Sequence, residues 1–297
     1  MKPFNTKNQD LSAIFMICVG YLGYSIMDAL SKWLVSELPL AQITTTINAV
    51  SAIMLCILML KKGGLKSFKV EEPKLHIIRT LFFLFVPYLV LKSLSILELA
   101  EFYPIVFLAP LTIIIASYFF LGETLEKSKI AMTFVGLIGV VFVVQGQIAQ
   151  QWDGFLYALL AVIGMTGFTI MTRKVKHCRS VYALSFYPAI ALTFAYMPFA
   201  IYNYKIPTDP QWIILFISGV CVFIGQVGCV IGFTKASSVS TVAPYHYTQM
   251  IWGIIFGYFI FEHVPSTSAL IGAVLIIYSG LFIALFTTDK SKNISSK

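Results

Sequence analysis

Few residues in this sequence can do chemistry, and they gather in three places. Asp28 and Lys32 stand four apart and so share one face of a helix. An acid and a base at that spacing fit two roles: a gate or solute contact, or an interfacial ion pair whose lysine snorkels to water. Glu98 and Glu101 are the second place. Acids in a first helical turn complement the macrodipole, which is the plainer role for Glu98. Glu101, one turn deeper, is the better candidate to meet a cationic group or a proton. The third place is Ala243–Pro244–Tyr245–His246–Tyr247–Thr248–Gln249–Met250–Ile251–Trp252. Tyr245, Gln249 and Trp252 fall at i, i+4 and i+7, one face of a helix. Aromatics with polar handles beside an amide suit a planar or amphiphilic ligand, with an aromatic belt as the alternative. His246 can titrate near neutrality, although a lone histidine is more often simply hydrogen-bonded.

No further chemistry is legible. HExxH, GxSxG, GxGD and Walker patterns are absent, as is any Cys/His cluster with metal spacing. Neither an enzyme, a cofactor nor a metal site is expected. The five cysteines contain no CxxC and mostly sit in apolar runs, where they read as small hydrophobes.

The elements that must position these residues follow from composition. Hydrophobic residues make up 58% of the 297 and charged residues 11%, against roughly 45–50% and 25% in soluble domains. A span needs about 20 apolar residues, and ten such runs are found: 11–32, 40–60, 75–94, 99–120, 129–146, 154–172, 181–202, 211–233, 239–261 and 268–287. Of the 21 Lys and Arg, three (Lys32, Lys92, Lys205) fall on one side of this arrangement and the rest on the other. The positive-inside rule then places both termini in the cytoplasm. The net charge of +8 belongs to topology. It does not form a basic soluble surface, so nucleic acid is not an expected partner. Pro87, Pro104, Pro110, Pro188, Pro198 and Pro244 fall inside spans and predict kinks. Gly136, Gly139, Gly272 and Gly280 predict close helix contact.

The chain also repeats itself. Gly20–Tyr21–Leu22–Gly23–Tyr24–Ser25–Ile26–Met27 resembles Gly164–Met165–Thr166–Gly167–Phe168–Thr169–Ile170–Met171, with Lys32 and Lys176 in register. Glu123 follows the fourth span as Glu262 follows the ninth. Two copies of five helices require the second to be upside down, an arrangement typical of transporters with a midplane site. The expected fold is an all-α polytopic membrane protein, ten transmembrane helices as two inverted five-helix repeats around a central cavity. Its parts are an N-terminal tail (1–10), a first repeat (11–146), a second repeat (154–287) and a C-terminal tail (288–297). Its partners are a small-molecule substrate, the lipid bilayer and a coupling proton or ion.

The end of the chain resembles a known family. Ala243–Pro244–Tyr245–His246–Tyr247 through Trp252, Gly257, Phe261–Glu262, Pro265, Gly272–Ala273 and Ser279–Gly280 are similar to EamA-type members of the drug/metabolite transporter superfamily. Ala100–Glu101, Ala109–Pro110–Leu111, Leu121–Gly122–Glu123 and Met27–Asp28 with Lys32 agree in the first half. The resemblance covers nearly the whole chain. It implies ten helices around a central cavity in a bacterial inner membrane, and a carrier of small metabolites. The branch it most resembles takes up S-adenosylmethionine, while other relatives export amino acids. Three positions depart from the pattern. Thr44–Thr45–Thr46–Ile47–Asn48 stands where many relatives have an arginine, Phe261 replaces a glycine, and Ser266 replaces an acid. The missing arginine bears on the ligand's charge, because such a cation would pair with an anionic group. The residues expected to line or gate the cavity are Asp28, Lys32, Glu101, Tyr245, His246, Gln249 and Trp252.

Overall fold

In lipid, backbone N–H and C=O groups must be satisfied within the segment, so long apolar runs coil. The computed structural model describes residues 6–106, 108–122, 127–144, 148–175, 180–237, 242, 245–246, 248–262, 267–268, 270–275, 277–279 and 282, and no strand occurs among them. The helices are α1 (Thr6–Leu34), α2 (Leu40–Gly63), α3 (Pro73–Leu84), α4 (Val86–Leu94), α5 (Leu99–Val106), α6 (Leu108–Leu121), α7 (Lys127–Val144), α8 (Ile148–Lys174), α9 (Ala183–Tyr202), α10 (Asp209–Lys235) and α11 (Thr248–Phe261). Among the described residues, six segments are long and apolar enough to cross a membrane: Gln9–Leu34, Leu40–Phe68, Pro73–Leu94, Gln151–Lys174, Ala183–Tyr202 and Asp209–Lys235. Shorter apolar helices run over Leu108–Leu121, Ile251–Phe261 and Leu270–Ser279. The C-terminal tail, Pro244, Tyr247, Glu123, Lys176, Pro265, Ser266 and Gly280 lie outside the described residues.

Proline acts unevenly. The third expected span divides into α3 and α4 at Phe85, two residues before Pro87, which has no N–H to continue the ladder. Pro188 and Pro198 sit inside an unbroken α9.

The helices pack in a pattern that survives exchange of the chain's two halves. The first expected span packs along the eighth (α1 on α10), and the sixth along the third (α8 on α3 and α4). The first also meets the ninth (α11), as the sixth meets the fourth (α5 and α6). The second packs on the eighth (α2 on α10) as the seventh packs on the third (α9 on α3), and the second and seventh pack on each other.

Small residues make the closest of these contacts possible. A Cβ at Gly228 would lie 2.5 Å from the Met16 carbonyl oxygen and 2.8 Å from Gly20 Cα, so α1 and α10 touch backbone to backbone. In the other half, a Cβ at Gly164 would lie 2.9 Å from the Phe82 carbonyl oxygen, and one at Gly167 would lie 2.4 Å from the Phe82 ring. The repeated glycine pairs are therefore packing devices. Gly136, one of the glycines expected at a contact, does the same on a smaller scale, 2.5 Å from Leu111 Cδ1.

Large apolar side chains such as Phe119, Phe134, Phe199 and Phe216 are more than half exposed on the outside of the bundle. Lipid is the solvent that makes such a surface favourable.

Candidate functional site

The helices enclose a cavity of about 1270 Å³, including its open mouth. Helix α1 contributes Tyr21, Tyr24, Met27 and Asp28, and α8 contributes Met165, Phe168, Thr169 and Thr172. Each set recurs at three- and four-residue steps, the face a helix turns inward.

Asp28 is the one charged side chain among the described lining residues. It is 4% exposed, and Gln249 Nε2 donates to its Oδ2 at 3.0 Å. A carboxylate within a span costs up to about 2.5–3.5 kcal/mol on insertion scales, the value at the helix centre. A hydrogen bond to a charged group returns about 1.5–3 kcal/mol, so Gln249 offsets most of that cost and fixes the carboxylate toward the cavity. Ser25, fully buried one turn earlier, donates to the Tyr21 carbonyl at 2.9 Å.

Flat aromatic faces line the same cavity. Tyr21 stacks on His246 with centroids 4.2 Å apart and planes 8° from parallel. Phe83 stacks on Phe168 at 4.4 Å and 29°. Polar groups interrupt the wall at Asn48, whose Nδ2 donates to the Thr44 carbonyl at 2.9 Å, and at Gln226. Ser51 donates to Gln226 Oε1 and Ser185 to the Gln226 carbonyl, both at 3.2 Å. Such a cavity can hold a flat ring between aromatic faces and a cation at one acid.

Of the residues named from the sequence, Asp28, His246 and Gln249 line the cavity; Lys32, Glu101, Tyr245 and Trp252 stand elsewhere. Lys32 does not take Asp28 as its partner. Its Nζ lies 3.2 Å from Glu98 Oε2, donates to the carbonyls of Leu97 at 3.0 Å and Leu94 at 3.4 Å, and sits 5.8 Å from the Phe261 ring centroid. The C-terminal carbonyls of α4 form a negative dipole end, and with Glu98 they attract the ammonium more strongly than an acid already held by an amide.

Glu101 also departs from expectation. Its Oε2 accepts the Glu98 N–H at 3.2 Å, the back-reach of a third-position acid that caps its own helix. The two acids thus exchange their expected roles. Tyr245 packs beside the cluster around Leu108 and Ile113, and Trp252 stacks on Phe256 at 6.2 Å. Neither lines the cavity. Residues 245–246 are 3₁₀, wound more tightly than the α-helix described from Thr248 on, so a single α-helical period does not set Tyr245 and Trp252 on one face.

Two arginines escaped the sequence reading as site residues. Arg79 of α3 is fully buried. Its Nη1 donates to Thr172 Oγ1 at 3.1 Å, its Nη2 donates to the Leu184 carbonyl, and its guanidinium lies 4.8 Å from the Phe168 ring centroid. The available signal was an ionisable residue five positions into a span. Arg173, at the end of α8, donates to the carbonyls of Phe233, Ala236 and Ser237 at 2.9–3.1 Å, closing the C-terminus of α10. Next to it, Lys174 lies 5.9 Å from the Phe120 ring centroid. This cluster mirrors the one at Lys32: a cation ending the first helix of one half holds the C-terminal carbonyls of that half's third span, beside a phenylalanine ending the fourth span of the other half. Asp10 of α1 joins the Arg173 cluster through Ser237, accepting its N–H at 2.9 Å and its hydroxyl at 3.0 Å. Asp10 and Lys32 are 22 positions apart on α1, about 33 Å of helix. The two clusters are therefore separated by roughly the 30 Å thickness of a bilayer core.

The sequence matches the profile of the EamA-like transporter family twice, over residues 11–145 and 152–285. It is 28% identical over 288 residues to the S-adenosylmethionine uptake transporter of Rickettsia conorii, covering 95% of each chain. It is 24% identical over 283 residues to the pseudopaline exporter CntI of Pseudomonas aeruginosa, covering 94% of this chain and 97% of that one. A crystal structure with 18% sequence identity superposes with a TM-score of 0.73 over 93% of this chain and 97% of its own, a likeness of fold alone.

Proposed function

The chain belongs to the EamA-like transporter family, and from that membership we propose that it is a secondary carrier that takes up S-adenosylmethionine by alternating access. The observation that carries this reading is the Asp28 carboxylate, buried in an aromatic cavity and held by Gln249. The sulfonium and amine of S-adenosylmethionine are cationic and suit that acid. Its adenine suits a place beside the Tyr21–His246 or Phe83–Phe168 faces. The full-length similarity to an uptake transporter of that name supports the same cargo.

The proposal includes ten membrane helices in two inverted repeats, 11–146 and 154–287, with both termini in the cytoplasm of a bacterial inner membrane. The packing pattern that survives exchange of the halves supports it. The clusters at Lys32 and Arg173 serve as the outer and inner gates. Lys32 and Glu98 have side chains 13% and 41% exposed, and partly exposed ion pairs are worth about 0.2–1 kcal/mol. Contacts this weak can break once per cycle. With no nucleotide-binding motif in the sequence, a proton or ion gradient, exchange or the solute's own gradient supplies the energy.

A thermal-shift panel on the purified protein tests the cargo. S-adenosylmethionine at 100 times its dissociation constant should stabilise the fold by about 2.7 kcal/mol, while its demethylated product, neutral at sulfur, should act more weakly. A second reading, export of an amphiphilic metabolite, rests on the similarity to the pseudopaline exporter. Stabilisation by amino acids and not by S-adenosylmethionine would favour it.

A further inference from the structure

We propose that a groove between α3 and α9 holds an acyl chain of an anionic phospholipid, whose phosphate sits at Lys66, Lys69 and Lys74. This goes beyond the carrier reading and does not depend on the cargo.

The groove shares no lining residue with the central cavity and measures about 970 Å³ with its open side included. Pro73, Ile77, Leu81 and Leu84 line it from α3, and Ile190 and Ala195 from α9. The α3 residues recur at three- and four-residue steps, so they share one face. Ile77 is 60% exposed and Leu81 55%, so this face meets the lipid around the bundle. The hydroxyl protons of the wall are already spent. Thr80 donates to the His76 carbonyl at 2.7 Å, and Tyr187 donates to the Phe68 carbonyl. Beside the far end, Tyr196 donates to the Leu84 carbonyl at 2.8 Å. A wall with its donors used suits methylene groups better than a polar solute.

The length of the groove fits one leaflet. Pro73 and Leu84 are eleven positions apart, roughly 16 Å of helix. That is about half of the 30 Å bilayer core. The groove starts where the span Pro73–Leu94 starts and ends near its middle.

The chain sets cations at the mouth. Residues 61–74 carry five lysines against two glutamates. The 3₁₀ turn Gly64–Phe68 is pinned to α9, because Phe68 accepts the Tyr187 hydroxyl and packs edge-on against Phe186 at 5.3 Å. Val70, two residues on, lines the groove, as does Pro73. Lys69 and Lys74 adjoin these two residues in the chain. The Lys66 carbonyl accepts the Lys69 N–H at 3.3 Å, which keeps Lys66 in the same turn. All three lysine side chains are exposed, whereas Lys62 is engaged with the Tyr182 hydroxyl at 3.1 Å. Basic clusters beside a span attract anionic headgroups. The same excess of positive charge opposes a second copy of this face as the occupant.

The experiment uses the full chain in detergent, with native mass spectrometry reading the dissociation constant of the first lipid bound. The probes are dioleoyl phosphatidylglycerol, dioleoyl phosphatidylcholine and glycerophosphoglycerol, the chainless headgroup of the first. Wild type should prefer phosphatidylglycerol, and the chainless headgroup should bind far more weakly than either lipid. A lysine beside a membrane is worth about fivefold. Lys66→Gln, Lys69→Gln and Lys74→Gln together should therefore weaken phosphatidylglycerol roughly tenfold to a hundredfold and phosphatidylcholine less than about twofold. Ala191→Trp, which fills the groove and keeps the lysines, should weaken both lipids alike. Ala195→Phe serves where that variant does not fold. Unchanged phosphatidylglycerol affinity in the lysine variant overturns the proposal, as does unchanged affinity in a folded groove-filling variant. Glycerophosphoglycerol binding as tightly as the lipid would reduce the mouth to a simple anion site and overturn it too. A dimer without bound lipid, split by Ala191→Trp, would put a second copy of the chain in the groove and overturn it as well.

Discussion

Replacing Asp28 with asparagine separates charge from shape at the centre of the cavity. Asparagine is nearly isosteric, and its carbonyl oxygen can still accept the Gln249 amide that now lies 3.0 Å from Asp28 Oδ2. The side chain is 4% exposed, and removing its charge also removes a desolvation cost of up to about 2.5–3.5 kcal/mol. Folded yield should therefore be unchanged or improved. Transport should behave differently. A hydrogen-bonded contact to a charged group is worth about 1.5–3 kcal/mol, and 1.36 kcal/mol is tenfold. The KM for a cationic substrate should rise roughly 10- to 150-fold in Asp28→Asn. The KM for a neutral analogue of similar shape should stay within about twofold. The assay is initial-rate uptake into proteoliposomes at matched protein content, with size-exclusion elution as the check on folding. Wild-type KM for the cation would refute the argument, because a buried acid that binds nothing would then be paying its desolvation cost for no purpose. Loss of monodisperse protein would refute it differently, by making Asp28 structural.

Lys32→Met should weaken the proposed outer gate, freeing Glu98 and the carbonyls of Leu94 and Leu97. Cysteines placed near position 28 should become more reactive to impermeant thiol reagents, and Arg173→Gln should raise labelling from the opposite face. Equal labelling in both variants would remove the gating role. Gly228→Ala should cost about 1–3 kcal/mol, because its Cβ would meet backbone atoms at 2.5 and 2.8 Å. Gly257→Ala, whose Cβ would meet nothing within 4 Å among the described residues, should cost less. A differential melting experiment in detergent separates them, and equal midpoints would contradict the close approach of α1 and α10. Trp252→Ala should leave KM within about twofold, while Gln249→Leu, which removes the amide donor to Asp28 Oδ2, should lower transport by about tenfold, the value of one hydrogen bond to a charged group. A large loss in Trp252→Ala would return that residue to the cavity.

Most of the helices were legible because the bilayer leaves an apolar run of 20 residues little choice. The glycines at 20, 23, 164 and 167 were legible as a repeat, and their steric role explains why they kept it. Asp28 and Gln249 were legible because an acid or amide in such a run has few other uses. Tyr245 and Trp252 do not line the cavity, because an i, i+4, i+7 pattern presumes α-helical winding throughout and residues 245–246 are wound as 3₁₀. Glu98 and Glu101 misled for another reason. The helix dipole says that an acid belongs in a first turn, but which acid caps and which meets a lysine depends on a helix more than 60 residues away in sequence. Arg79 was counted among the charges that set topology, since it follows the lysine-rich stretch before α3. Only tertiary contact with Thr172 and Phe168 separates it from that group.

Two diverged copies of one unit explain why the acid stands alone. Where the bundle's geometry needs equivalence, the copies agree: glycine meets glycine at 20 and 164 and at 23 and 167, and cations close the ends of α1 and α8. On the proposed inverted arrangement those are the positions that hinge and gate both faces, and a difference there would favour one face permanently. Where the copies line the cavity, they disagree. Tyr21 stands opposite Met165, Tyr24 opposite Phe168, and Asp28 opposite Thr172, all lining the cavity. A small metabolite has no two-fold axis, so a cavity that bound it with two-fold symmetry would offer it two competing orientations. Asymmetry at 28 and 172 removes one of them. The same reasoning predicts the double exchange. Asp28→Thr with Thr172→Asp would bring an acid beside Arg79, where the two would pair and leave the cavity without a pole for a cation. That protein should fold, keep both gates and lose preference for cationic substrates. If it transported them as wild type does, position rather than partner would define the site, and this account of the asymmetry at 28 and 172 would fail.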